Sequence, residues 1–235
     1  YGELVICYDS KHYWRREYFP EYKAGRRKSR QTSSHDWDDI FECLNTIKAE
    51  IKDNFPYKVL EVYGAEADDI IATLCGELEF DNGKTLILSG DKDFIQLHKF
   101  KNVKQYSPIT KKFINGEDPD EYLYQHILKG DSSDGIPNVL SPDNTFVDGL
   151  RQRPLSKKKI AEWAGPLCEQ FLPSDEAKRN YQRNKKLIDL KESPDELHLE
   201  CIKAYQDAPE GDRSKLLNYF IKNRLNELMD NIGDF

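Results

Sequence analysis

The spacing of apolar positions changes character along this chain. Residues 3–8 (ELVICY), 57–63 (YKVLEVY) and 84–89 (KTLILS) are short apolar runs rich in β-branched residues. Runs of that length and content predict strands. Between them the period turns helical. Trp37, Ile40, Phe41, Leu44, Ile47 and Ile51 follow a cap at Ser34 or Asp36 and predict a helix to about residue 54. Ile70, Ile71, Leu74 and Leu78 predict the inner face of a second helix over 65–79, and Asn82-Gly83 turns the chain into the third strand. A short helix near 92–98 and an edge hairpin at 103–107 and 111–114 complete an α/β region over 1–116. Residues 117–235 read mainly as helices, at 119–128, 156–164, 175–188 and 213–231, around a loop-rich stretch at 130–155. Residues 10–34 are polar, basic and aromatic, with Pro20 and Gly25 interrupting any long helix.

Each predicted strand runs into acids: Asp9, then Glu66, Asp68 and Asp69, then Asp91 and Asp93. The intervening segments are long enough for crossover helices, so the strands can be parallel. Parallel strands bring their C-terminal ends to one sheet edge, where open α/β sheets bind ligands. Two carboxylates ~4 Å apart repel by roughly 4 kcal/mol at an effective dielectric of 20, so such a cluster calls for a cation. An all-oxygen donor set selects Mg²⁺ or Mn²⁺, and two such ions suit phosphodiester hydrolysis. For any single acid, capping a helix or closing a turn is the competing reading. The segment GDSSDGIPN at 130–138 adds Asp131 and Asp134, either as an ordinary loop or as a grip on phosphates. His12, His35, His98, His126 and His198 show no mutual spacing that marks a site and read as structural.

Composition narrows the partners. Of 235 residues, 33% are charged and 38% hydrophobic, which describes a soluble globular protein. No apolar run approaches the ~20 residues of a membrane span, and no signal peptide is apparent. Five widely spaced cysteines without a C-x-x-C predict reduced thiols in a cytosolic protein, with Cys7, Cys43 and Cys75 buried at apolar positions. The net charge of −7 argues weakly against a polyanionic partner, but the charges are segregated. Residues 15–30 hold seven basic side chains against Glu17 and Glu21, and 151–159 hold five with no acid. Tyr13, Trp14, Tyr18, Phe19 and Tyr22 interleave with the first group, a pattern suited to stacking on single-stranded nucleic acid, with a solvated helical face as the alternative. Lys23 is placed to bring a point charge to a scissile phosphate.

Five motifs in order carry a family resemblance: VICYD, the RR-E-x-x-P-E-YK-x-x-R pattern at 15–26, EADD, SGDKDF and LKGDSSDGIP. Together they resemble the 5′-nuclease (flap endonuclease) family, most closely its T-even bacteriophage branch, over nearly the whole chain. The resemblance implies a mostly parallel, twisted PIN-like sheet flanked by helices, a basic arch over 10–35, and a helix-hairpin that grips duplex DNA within 117–235. It implies metal ligation by Asp9, Glu66, Asp68, Asp91, Asp93, Asp131 and Asp134, holding two Mg²⁺ or Mn²⁺ ions. Lys23 and Arg26 take the catalytic arch positions, and Asp69 caps its helix. Arg15, Arg16, Tyr22, Arg27, Lys28 and Arg30 would meet nucleic acid. Arg151, Arg153, Lys157, Lys158 and Lys159 would do so in place of a glycine-rich G-x-G-x-K continuation that this chain lacks.

The implied activity is 5′-to-3′ exonuclease or 5′-flap cleavage, including RNase H activity, on DNA or RNA–DNA duplexes during primer removal. The implied setting is a monomer in the host cytoplasm, alongside replication proteins such as a single-strand binding protein. The family also carries an upstream strand with an acidic ligand, so the sequence reads as a fragment or half of a split enzyme. The alternatives are a DNA-binding fragment without turnover and a PIN-like ribonuclease.

Overall fold

The structure, a computed structural model, describes residues 2–80, 83–116, 118–209 and 211–235, without the side chains of 27–29 and 78–80. The expectations placed on Asn82, Leu78, Arg27 and Lys28 therefore lie outside the described residues or side chains.

All three strand-end runs form strands. β1 (Val5–Tyr8) pairs in parallel with β2 (Lys58–Glu61), with Val5 opposite Lys58 and Tyr8 opposite Glu61. β3 (Thr85–Leu88) pairs in parallel with β4 (Val103–Ser107), and the short β5 (Lys112–Ile114) closes an antiparallel edge on β4. Among the described residues the two ladders are not joined by a strand pair. Helix α4 (Ala67–Phe80) serves both. Its Ile70 and Leu74 pack with Leu60 and Val62 of the β2 run, and its Cys75 packs with Ile87 and Val103 of β3 and β4. A 3-10 turn at Lys92–Lys99 buries Phe94, Ile95, Gln96 and Leu97, of which Phe94 and Leu97 pack against the second ladder.

Helix α3 (Trp37–Asn54) begins where its cap predicts, with the Asp36 carboxylate accepting from the amides of Asp38 and Asp39 at 3.1 and 3.2 Å. Its apolar stripe is not core. No residue of α3 is buried, and Phe41, Leu44 and Ile47 are exposed. Cys43 is exposed with them, which corrects its assignment as a buried thiol. Helical periodicity states which face is apolar, not whether another element covers it.

The basic segment is more helical than its composition implied. α1 (Trp14–Tyr18) and α2 (Ala24–Gln31) flank Pro20, and Lys23 sits between them in the left-handed region at φ 55°. Gly25 lies inside α2 rather than breaking it.

The second half is mainly helical around a loop at 130–156, with α5 (Pro119–Lys129), α6 (Lys157–Trp163), α7 (Cys168–Phe171), α8 (Asp175–Ile188), α9 (Asp195–Asp207), α10 (Leu216–Asn223) and α11 (Asn226–Asp230). The single helix expected at 213–231 divides at Arg224, which adopts φ 56°. α9 carries a weak apolar pattern, because its inward stripe of Leu197, Cys201 and Ala204 is mostly small residues. It nonetheless joins the β1–β2 core. The largest core packs α5, α6 and α8 together around Ile127, Leu128, Val139, Trp163 and Leu187, and takes in Phe19 and Tyr22 from the basic segment. Burying side chains of this kind contributes roughly 1.5–3 kcal/mol each. The basic segment is thereby anchored at its base to the helical half.

Candidate active site

The loop after α5 is shaped by one residue. Gly130 has φ 67°, and a Cβ there would lie 2.3 Å from the Ile136 carbonyl oxygen. The close approach lets Asp131 and Ile136 form a bridge that folds residues 131–136 back on themselves. α8 holds this loop from beneath. Asn184 Nδ2 donates to the carbonyls of Ile127 and Pro137 at 2.8 and 2.9 Å, and Asn180 Nδ2 donates to those of Val139 and Ser141 at 3.1 and 3.0 Å. The backbone N–H of Lys23 donates to Asp134 O at 2.7 Å, so the basic segment is tied to the same loop.

Arg15 is 2% exposed. Its two terminal nitrogens each lie 2.8 Å from an Asp69 oxygen, one of them also 2.9 Å from Glu66 Oε2, and its Nε donates to Leu187 O at 2.8 Å. A buried guanidinium with this set of partners is a structural strut, which corrects its assignment to nucleic acid. Asp69 caps its helix as expected, accepting from the Glu66 amide at 3.0 Å.

Tyr22 is also buried. Its hydroxyl lies 3.0 Å from both Glu66 Oε2 and Asp134 Oδ2, so it faces acids rather than a nucleic acid. Burial and those two carboxylates raise its pKa and keep it a donor. Lys23 pairs with Glu66 and lies 3.6 Å from Asp134, while Arg26 pairs with Asp134. Burial works against the charge on Lys23, but Glu66 and Asp134 outweigh it and raise its pKa. Glu66, expected among the ligands, commits both oxygens to Arg15, Tyr22 and Lys23.

The remaining acids divide in two. Asp68, Asp93, Asp131 and Asp134 line one cleft with Arg15, Tyr22 and Glu66, over a floor of Ile136, Leu187, Ile188 and Leu190. Asp9 and Asp91 are exposed and do local work. Asp9 Oδ1 accepts from the Ala67 amide at 2.8 Å and caps α4 across the sheet edge, and Asp91 Oδ1 accepts from the Asp93 amide at 3.0 Å. Crowding shows in the titration of the cleft. Burial, then Asp91, Asp93 and Glu66, push Asp68 up to about 7. Burial also raises Asp93, with Asp91, Asp131 and Asp134 adding to it against His126, to about 6. Carboxylates that retain protons this far above their ordinary range suit a position built for a cation.

His126, read from sequence as structural, stands against two acids of this cleft. Its Nδ1 is 3.4 Å from Asp93 and its Nε2 is 3.5 Å from Asp131. Burial opposes its charge, but Asp131 and Asp93 raise its pKa. The His126 hydrogen bond in turn holds Asp131 well below the usual carboxylate range, with help from Ser133. No sequence spacing signals this group, because Asp93 reaches it only through the tertiary fold.

The other basic candidates are exposed: Arg16 and Arg30 in the basic segment, and Arg151, Arg153, Lys157, Lys158 and Lys159 around the start of α6. Arg30 lies over the rings of Trp37 and Phe41 at 5.4 and 4.8 Å. Arg153 is 3.3 Å from Glu176, and Ser156 caps α6. Among the described residues no helix is long and apolar enough to cross a membrane.

The chain is similar to known nucleases in sequence and in fold. Residues 1–124 match the family model of the 5′-3′ exonuclease N-terminal resolvase-like domain, and residues 118–235 match that of the T4 RNase H C-terminal domain. The chain is 34% identical to the Ribonuclease H of Enterobacteria phage T4, an alignment covering 100% of this chain and 80% of that protein. It is 34% identical to a 5′-3′ exonuclease of Buchnera aphidicola over 58% of this chain and 48% of that one. Among solved structures, the bacteriophage T5 D15 flap endonuclease, in a complex with DNA and metal ions, superposes with a TM-score of 0.61 at 19% identity, over 95% of this chain and 83% of that one. With a matched exonuclease domain in its first half and a matched T4 RNase H domain in its second, the chain belongs to the 5′-3′ exonuclease family of phosphodiesterases.

Proposed function

We propose that this chain hydrolyses phosphodiesters at the 5′ ends and 5′ flaps of DNA and RNA–DNA duplexes, as primer removal in phage replication requires, with Mg²⁺ or Mn²⁺ as its metal. The observation that carries the reading is the convergence of Asp68, Asp93, Asp131 and Asp134 on one cleft whose rim is closed by Lys23 and Arg26. Asp68, Asp93, Asp131 and Asp134 would hold the divalent ions, with Asp9 and Asp91 at the adjoining edge. Bound there, such ions supply positive charge to the phosphate and acidify a water.

The protein's own groups do the rest. Lys23 and Arg26 present cations at the edge of the acidic cleft, where a phosphodiester would replace their present carboxylate partners and be oriented by them. Glu66 and Tyr22 set the position of Lys23, and Arg15 locks Glu66 and Asp69 behind it. The exposed cations at Arg16, Arg30, Arg151, Arg153 and Lys157 to Lys159 neutralise backbone phosphates on either side.

The test is cleavage of a labelled 5′-flap duplex and a 5′-RNA–DNA duplex with Mg²⁺ or Mn²⁺. We expect products released from the 5′ end, abolished by chelation and by Asp93→Asn. Folded protein that cleaves neither substrate with either metal overturns the reading.

A further inference from the structure

His126 does something that a structural histidine has no need to do. It sits in the last turn of α5, and its ring packs edge-on against Tyr122, with centroids 5.7 Å apart and planes at 63°. Its Nδ1 is buried and makes no hydrogen bond, although Asp93 Oδ1 is only 3.4 Å away. A donor and acceptor at that separation ordinarily point at each other. Here they make no hydrogen bond, so the buried Nδ1 is left without a hydrogen-bond partner beside a carboxylate oxygen. Groups bound to one ion at ~2.0–2.2 Å stand roughly 3–3.5 Å apart, so the separation suits two ligands of a common cation. One ligand atom from each of Asp93, His126 and Asp131 lies within 4.8 Å of the others.

The other ring nitrogen is also accounted for. Nε2 lies 3.5 Å from Asp131 Oδ2, and Asp131 is itself held by the amide and hydroxyl of Ser133, each 2.7 Å from Oδ1. A carboxylate that takes one ring N–H leaves the opposite nitrogen with its lone pair free for a metal, the usual arrangement behind metal-binding histidines.

We propose that His126 Nδ1 ligates a divalent cation together with Asp93, with Asp131 orienting the ring, and that this nitrogen makes the position select late first-row ions such as Co²⁺ or Zn²⁺ over Mg²⁺. Imidazole favours those ions, whereas an all-carboxylate set suits Mg²⁺. The assignment rests on the divalent-metal reading above and adds a donor type that no strand-end acid supplies.

Cobalt reports on it directly. In the Co²⁺-loaded intact protein, a coordinated imidazole gives a strongly shifted proton NMR signal from its remaining ring N–H, which disappears in D₂O. We expect that signal in the wild type and its loss in His126→Gln. Equilibrium dialysis should show Co²⁺ binding weakened by about tenfold or more in the variant, with Mg²⁺ affinity within about twofold of wild type. The wild-type spectrum is informative whether or not the variant folds. If Co²⁺ and Mg²⁺ both bind but the wild type shows no shifted N–H, or if the variant keeps it, the His126 assignment is overturned and the metal reading stands. If neither ion binds the folded wild type, both fall.

Discussion

Arg15 and Asp69 meet in a buried two-pronged pair, each terminal guanidinium nitrogen 2.8 Å from one carboxylate oxygen. Removing the cation strands Asp69 and Glu66 in a dry setting, and a broken buried pair costs about 3–5 kcal/mol. Urea unfolding of Arg15→Ala should show a loss of that size. Arg15→Lys should recover little of it, because a point charge cannot span both oxygens. By contrast, Arg16→Ala, one position along and exposed, should leave the unfolding midpoint within about 0.5 kcal/mol. An Arg15→Ala protein of normal stability but weakened DNA binding would return this residue to the nucleic-acid surface.

Gly130 is the hinge on which the acidic loop folds back. An alanine there adopts a disfavoured backbone at φ 67° and drives its Cβ to 2.3 Å from Ile136 O. Backbone strain of about 1–3 kcal/mol adds to displacement of the Asp131–Ile136 bridge, so Gly130→Ala should lower stability by about 3 kcal/mol or more. Gly25→Ala, in α2 with open space around the new methyl, should be neutral or mildly stabilising by up to about 1 kcal/mol. Thermal melts of the two variants side by side make the comparison.

The exposed cations at the start of α6 should act by charge alone. Replacing Lys157, Lys158 and Lys159 with glutamine should weaken binding to duplexes of any sequence. It should also reduce the slope of log affinity against log salt by about one for each phosphate that is no longer neutralised. Fluorescence anisotropy across a salt series measures both. An unchanged slope would remove this face from the DNA-binding surface.

Asp143 provides a pH handle away from the cleft. Burial raises its pKa, but Arg179, at 3.0 and 3.2 Å, and Arg183 outweigh burial and lower it. A carboxyl whose folded pKa is depressed adds stability above its unfolded value near 3.9 and loses it as pH falls through the lower folded value. Asp143→Asn should therefore flatten the acid limb of the stability profile below about pH 4. The effect should be about 1 kcal/mol or less, since Arg179 is largely solvent-exposed. Denaturation midpoints at stepped pH values test the sign.

What sequence conveys about this molecule follows from how local each signal is. The three β-branched runs and their terminal acids are local patterns, and they became β1, β2, β3 and the acidic edge. Asp36 announced α3 through its own hydrogen bonds, yet nothing near it says that Leu44 and Ile47 stay exposed. Arg15 and Arg16 are chemically identical neighbours, and only helical phase and the arrival of α4 decide which becomes a strut. His126 is legible only once Asp93, 33 positions upstream, is folded against it. The acids of the cleft follow local patterns, whereas Arg15, Asn184 and His126 take their roles beside them only from the fold.

Helix α4 has a mechanical consequence through the two ladders it serves. Its Ile70 and Leu74 pack on the β1–β2 side and its Cys75 on the β3–β4 side. Loosening α4 should therefore speed deuterium exchange of amides on both sides together. Asp9 follows β1 and Asp91 follows β3, so the acids of the edge are carried by both ladders. A ligand that bridges them would act as a clasp, slowing exchange in both ladders at once.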